Sequence, residues 1–417
     1  MVYNIAMRVK NSVVMIAILS LMLILTVLGA LNRNKEDVPE VKPSDDVVVV
    51  DDSVPETFKE SVDDTYSVPV EVMNLICSYM DSYYRSIYTL EEQDLSPYFS
   101  NDLMKEVSEK AIRLLIENRK QYDFDFRMSS AHYDLKVFNY KQENNIYHVD
   151  VMEDDYMSFI FLNGLESQAF DIENYFEIVE DDGTYKIKDL EKVQGYYMGI
   201  YEEAESVEKV EETYQYFLKQ LKDMYAYNSE ILKPKAQANP YSSTKTYTIN
   251  YDRAAAVAYA DKYYHSRNPE WYNFTDEGGN CQNYASQSIF SGGLPMDYNG
   301  DLQWKCYITD PDYDPEINGE ETKSGRTRSW VNVGYFYNYC KDNEGKGLVA
   351  DVNANIYYAQ PGDIIMVGNY GLSHTVIVSK VVDGHVLVNS NSIDMKDYPI
   401  EAYAYTNIML IKILGSN

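Results

Sequence analysis

The stretch Glu277-Gly278-Gly279-Asn280-Cys281-Gln282-Asn283-Tyr284 sets a cysteine directly behind a glycine pair. Counting forward from Cys281, Tyr284, Ala285, Ser288 and Ile289 recur at helical spacing, and Ser291-Gly292-Gly293-Leu294-Pro295 stops the run. The spacing predicts a helix whose first turn holds Cys281 on its buried face. Unpaired N–H groups and the helix dipole favour an anion at that end. A thiolate is the reactive form of cysteine, and a helix N-terminus lowers a thiol pKa. The same N–H groups can hold the oxyanion formed when sulfur adds to a carbonyl. Gln282 and Asn283 are candidate oxyanion donors, and Gly279 would let a substrate backbone come close. This is the chemistry of a covalent acyl-transfer enzyme, and it needs a base.

His265, His374 and His385 are the histidines that follow residue 249. Gly362–Val367 reads as a strand, His374–Val382 as the next, Asp383-Gly384 as a tight turn, and His385 onward as the return strand. If that turn is a two-residue loop, Val382 faces His385, His374 faces Ile393, and Val376 faces Asn391. Asn391 is then the diagonal neighbour of His374, about 7–8 Å away between backbones, with Asn389 one step further. Cys281, His374 and Asn391, in that chain order, match a papain-type set.

Six segments occur in order: YDRAAAVAYADKYY, NPEWYNF, GGNCQNYASQSIFSGG, SWVNVGYFYNY, PGDIIMV and SHTVIVSKV. Together they resemble the "putative amidase domain" family, related to the NlpC-type and CHAP-type cell-wall peptidases within the papain-like superfold. The resemblance covers about residues 249–412. It implies a nucleophile at Cys281 and a base at His374. The family commonly has a histidine where this chain has Asn391, and asparagine there suits the papain pattern.

The bulk properties frame this reading. A chain of 417 residues is too long for one ordinary core, so two domains plus linkers are expected. The net charge of −30 argues against nucleic acid and against adhesion to an anionic lipid surface. Residues 1–32 carry an uncharged apolar run long enough to span a bilayer, as a signal anchor or a cleaved signal peptide. Either way the body is exported, anchored at the cell membrane by the N-terminal helix or secreted if cleaved. Residues 33–66 read as a disordered acidic linker. Residues 67–230 show helices and then period-two strands, an α+β accessory domain with an NTF2-like pattern. A polar, proline-bearing linker follows at 231–248, and a papain-like α+β domain at 249–417.

Four cysteines do not make a disulfide scaffold. Cys77 falls inside a helical pattern and reads as core; Cys306 and Cys340 read as core or as a disulfide. Asp310, Asp312, Asp314 and Glu321 echo a calcium loop, but Pro315 stands where glycine is needed. No metal and no cofactor are expected. The composite expectation is an extracytoplasmic cysteine amidohydrolase acting on a peptide or amide bond, with the cell wall as substrate. The alternatives are a catalytically silent envelope scaffold and a transglutaminase-like acyl transferase.

Overall fold

The computed structural model describes residues 54–299, 302–306, 326–343 and 345–417. The apolar run near the N-terminus, the acidic stretch up to residue 53 and the calcium-like spacing at 310–321 lie outside these residues. Among the described residues, no helix is long and apolar enough to cross a membrane.

The N-terminal part runs β1 (Lys59–Asp63), α1 (Val70–Thr89), α2 (Asp102–Lys120), β2 (Met128–Glu143), β3 (Ile146–Phe159), β4 (Glu166–Asp181), β5 (Thr184–Lys192), α3 (Gly195–Tyr201) and α4 (Val207–Tyr227). In α1, Val72, Ile76, Tyr79, Tyr83 and Ile87 recur every three or four residues and are buried. Leu90 ends the helix in the left-handed region. Asn101 caps α2 by accepting the Met104 N–H at 3.0 Å. The preceding Ser100 donates its N–H to the Ile187 carbonyl at 2.8 Å. The tip of the β4–β5 hairpin is Asp182-Gly183, both at positive φ as a tight turn with this twist requires.

The segment expected to be a tether is ordered at its end. Residues 59–63 form β1, which pairs in parallel with β2. Phe58, 1% exposed, anchors it in the core, and its N–H bonds the Asp81 carboxylate at 2.9 Å.

A short helix, α5 (Lys233–Ala238), then leads to the C-terminal part: β6 (Ile249–Asn250), α6 (Arg253–Tyr263), α7 (Cys281–Ser291), α8 (Arg328–Val331), α9 (Val333–Asp342), β7 (Leu348–Ala354), β8 (Ile364–Gly368), β9 (His374–Val382), β10 (His385–Ser390), β11 (Asp394–Pro399) and β12 (Asn407–Ser416). This mixed α+β architecture has one dominant sheet, ordered β1-β2-β3-β4-β11-β10-β9-β8-β12-β6, with β5 on β4 and β7 on β12.

The two parts are therefore joined through a strand. β4 serves both: residues 174–181 pair with β5, while Gln168, Ala169 and Phe170 pair with Lys396, Met395 and Asp394 of β11. Between the two halves Asp171 takes positive φ, and its N–H bonds Asp154 Oδ1 at 3.0 Å. That irregularity lets one strand change partners. Ser167 Oγ donates to the Asp397 carbonyl and Asn118 Nδ2 to the Glu401 carbonyl across the same seam.

Alternation along β8 and β9 shows how both faces of this sheet are covered. Ile365, Val367, Val376 and Val378 pack into the core shared with the N-terminal helices. Ile364, Met366 and Ile377 pack into a second core under α6, α7 and α9. A sheet buried on both faces reads as a continuous apolar run, as this stretch of the sequence does.

The N-terminal core contains charge. Glu153, Asp155 and Lys192 are all at most 3% exposed. Lys192 Nζ bonds Glu153, Asn174 Nδ2 donates to Glu153 Oε2 at 2.8 Å, and the Tyr84 hydroxyl bonds both carboxyls. Despite burial, Lys192, Tyr84 and Asn174 hold the Glu153 carboxyl below its ordinary range. Burial and the neighbouring Glu153 push Asp155 well up. Removing the cation strands a buried carboxylate. Lys192→Met is expected to cost about 3–5 kcal/mol in urea unfolding, whereas Lys188→Met, which breaks a more exposed pair, costs under about 1 kcal/mol.

Candidate active site

Helix α7 is buried on all sides from Cys281 to Ile289. Asn280 precedes it but does not cap it, because its side chain is used elsewhere. Asn280 Oδ1 accepts from Phe274 N and from Asn283 Nδ2, and Asn280 Nδ2 donates to Asn391 Oδ1 at 2.8 Å. The first-turn N–H groups of α7 thus stay available. Gly278 and Gly279 have φ of 99° and 112°, a conformation that favours glycine.

Burial pushes the Cys281 thiol above its ordinary value; backbone N–H donors from Thr375, Gln282 and Cys281 itself partly offset this. These backbone dipoles favour negative charge on the sulfur. The Gln282 side chain is not one of these donors. Its Oε1 accepts from Thr375 Oγ1 at 2.9 Å and its Nε2 donates to Ser286 Oγ. The Asn283 amide donates to the Tyr272 carbonyl and accepts from Trp330 Nε1 at 2.9 Å. Both side-chain amides are spent on holding α7.

His374 opens β9 and is 7% exposed. Its Nε2 is buried without a hydrogen-bond partner. Burial pushes the imidazole down to about 4, so it is neutral at physiological pH. The Tyr403 and Tyr405 rings lie near-parallel to it, each 6.4 Å away between centroids. Both phenols are pushed up, by burial first and with Cys281 among the further causes. No hydrogen bond joins Cys281 to His374 in this resting arrangement. Tyr403 and Tyr405 carried no mark in the sequence reading; their period-two spacing after β11 was the available signal.

The register of the histidine hairpin departs from the simple count. His385 faces Val382, Val386 faces Val381 and Leu387 faces Lys380, as expected, but then Val388 faces Val378. Ser379 is the extra residue, held by a bond from its Oγ to Asp397 Oδ1 at 2.8 Å. Asn389 consequently faces Ile377, and β10 ends at Ser390. Ser392 and Ile393 then take positive φ of 75° and 88°, rare for a β-branched residue. This turns the chain away from the ladder, so His374 and Ile393 are not paired.

Asn391 lands elsewhere as a result. Its Nδ2 donates to the Tyr263 carbonyl at 3.0 Å, with longer bonds to Tyr264 and Ser266, and its Oδ1 accepts from Asn280. It ties the end of α6 to the loop that presents Cys281, and makes no hydrogen bond to His374. Asn389 bonds Asp261 and the Asp397 N–H. The imidazole is set by ring packing rather than by either amide. Gly279 approaches Ser392, whose Oγ accepts the Asn280 N–H.

The other histidines are elsewhere. His265 stands 3.5 Å from Asp394, whose carboxylate also takes Arg267 at 2.8 Å, and His385 pairs with Glu401 at 3.0 Å. Cys306 and Cys340 are free thiols in the second core.

A cleft of about 440 Å³ reaches Ser373, the residue before His374, although neither His374 nor Cys281 lines it. One wall comes from Gln194, Met198 and Glu202 of the N-terminal part, the other from Asn369–Ser373 with Ile393 and Tyr405. Residues 250–414 match the family described as "Putative amidase domain". This region of the chain is therefore similar to that family. "Uncharacterized protein YhbB" of Bacillus subtilis (strain 168) is 30% identical over 155 residues, 36% of this chain and 43% of that protein. The chain thus spans less than half the length of that relative. No solved structure matches.

The buried neutral histidine has a thermodynamic signature. Its folded pKa lies below the ordinary value, so between about pH 6.5 and 4 the unfolded chain takes up a proton that the folded chain does not. Stability contributed by His374 therefore falls as pH drops through that window. Wild type is expected to lose about 2–3 kcal/mol more than His374→Gln between pH 7 and pH 4.5, measured by urea unfolding.

Proposed function

We propose that the protein is a cysteine amidohydrolase of papain-like type, with Cys281 as nucleophile and His374 as base. The observations that support this reading are Cys281 buried in the first turn of α7, the bond from Thr375 to Gln282 that ties this turn to β9 next to His374, and a buried neutral imidazole whose Nε2 has no partner.

With the thiol raised and the imidazole lowered, the resting pair is neutral rather than a preformed thiolate–imidazolium. A substrate entering the cleft completes the geometry; catalytic hydrogen bonds are often long before that. His374 takes the thiol proton as sulfur attacks the amide carbonyl. The backbone N–H groups of Cys281 and Gln282 hold the oxyanion. The imidazolium then protonates the leaving amine, a thioester forms, and water attacks it with His374 again as base. The N-terminal domain supplies one wall of the cleft and so takes part in choosing the substrate. The apolar run near the N-terminus and the family's similarity to cell-wall peptidases support an exported enzyme, tethered to the membrane or secreted, that cleaves an amide of the cell wall.

Digestion of purified cell wall, followed by mass analysis of the fragments, tests this. Wild type should release new amine and carboxyl termini; Cys281→Ala and His374→Ala should lower the rate by about a thousandfold or more. Fragments identical for wild type and Cys281→Ala would remove the cell-wall claim. Because burial lowers the free imidazole to about 4, kcat/KM should rise with pH through that value, with no limb near the ordinary histidine pKa.

A further inference from the structure

A second cavity, of about 600 Å³, lies at the far end of the β9–β10 hairpin from His374. Eight residues of strand separate Val382 from His374, about 27 Å at the usual rise. The cavity sits on the seam between the two parts of the chain. Its walls are Tyr122 and Phe124 after α2, Tyr225 of α4, Tyr357, and the pair His385 and Glu401. Its size is that of a small-molecule site, and the proposed chemistry does not use it.

Three features of this cavity agree on a ligand. The first is aromatic surface. Tyr122 packs edge-on to Tyr225 at 5.2 Å and lies 5.1 Å from Phe124, which lies 4.8 Å from the His385 ring. Such faces attract a cation. The second is charge: Asp123, Asp383 and Glu401 line the cavity against a single lysine, Lys233. The third is an unmet hydrogen bond. Glu401 Oε1 is bonded by His385 Nδ1 at 3.0 Å, but Oε2 is buried with no partner. A buried carboxylate oxygen without a donor is costly; the Glu401 side chain is 17% exposed and lines the cavity, so turning the carboxyl toward a bound N–H donor would give that oxygen a partner. Glu401 also lies close enough to raise both flanking phenols: burial and then Glu401 push Tyr122 up, and likewise Tyr357, to about 12.

We propose that this cavity binds a primary alkylammonium group, with its N–H donating to Glu401 and its carbon chain against Tyr122, Phe124, Tyr225 and Tyr357. A quaternary ammonium would meet the rings but has no N–H to give the carboxylate. The ammonium can belong to a free diamine or to a lysine-like side chain.

Saturation-transfer NMR on the full-length chain at low ionic strength tests this, with cadaverine, an Nα-acetylated lysine amide and, as neutral control, pentanediol. Either amine should bind and the diol should not. Binding of both amines assigns a side-chain ligand, and binding of cadaverine alone assigns a free amine. Glu401→Gln should weaken binding about tenfold. Tyr357, 39% exposed and so replaceable without touching the core, should weaken it about threefold when changed to leucine. Glu401→Gln removes one charge from a chain of net −30, so diffuse attraction to an acidic protein would hardly change. Equal signals from amine and diol, undiminished binding in both variants, or no binding of either amine would overturn the proposal.

Discussion

The three-residue ladder between β4 and β11 is the constraint on which the rest of the structure depends. Gln168, Ala169 and Phe170 join the N-terminal sheet to the C-terminal one, and Asp171 marks the point where β4 changes partner. Once that junction forms, one face of β8 and β9 must pack against the N-terminal helices, and Val376, Val378 and Leu387 enter their core. The β11–β12 connection that carries Tyr403 and Tyr405 is held on the same side. The surroundings of His374 are thus built partly by residues outside the amidase-family region. A cleft whose opposite walls come from two sequence regions follows from the same junction.

The site combines two opposing tendencies. Burial disfavours charge on both Cys281 and His374, while backbone N–H groups favour charge on the sulfur alone. Under the proposed mechanism this balance leaves both groups neutral at rest, with electrostatic help reserved for the moment when negative charge develops. The side-chain amides around the site do something different. Asn280, Gln282, Asn283 and Asn391 bond one another's loops and the neighbouring strand, and fix where the sulfur stands. Amides aimed at backbone carbonyls and at each other suit that rigid role, since a buried amide must satisfy both its donor and its acceptor.

The hairpin that carries His374 shows how one extra residue redirects a site. The sequence count from Asp383-Gly384 is right for three pairs and then fails at Ser379. Ser379 can be accommodated because Asp397, on the adjoining strand, receives its hydroxyl and Lys380 Nζ as well. That partner lies 18 residues away, and nothing local to the hairpin announces it. The shift, followed by the positive φ of Ser392 and Ile393, moves Asn391 from beside the imidazole to the loop before Cys281. The beginning of β1 inside the expected linker has a similar origin: Phe58 and Ser61 find partners on α1 and β2.

The sequence by itself determined the local devices. Helical spacing located α1, α4 and α7, glycine pairs and Asp-Gly turns located the bends, and period two located the paired strands. Short-range geometry decides these, through backbone sterics and the side on which each residue must be buried. It also singled out Cys281 and His374, because a cysteine behind two glycines at a helix start and a histidine at a strand start are local facts. Only the tertiary structure decided which groups meet. The backbone donor from Thr375, the rings of Tyr403 and Tyr405, the diversion of Asn391 and the joining of two sheets through β4 depend on contacts distant in the chain. Such contacts follow from the packing of whole faces against one another, and no spacing within a single element encodes them.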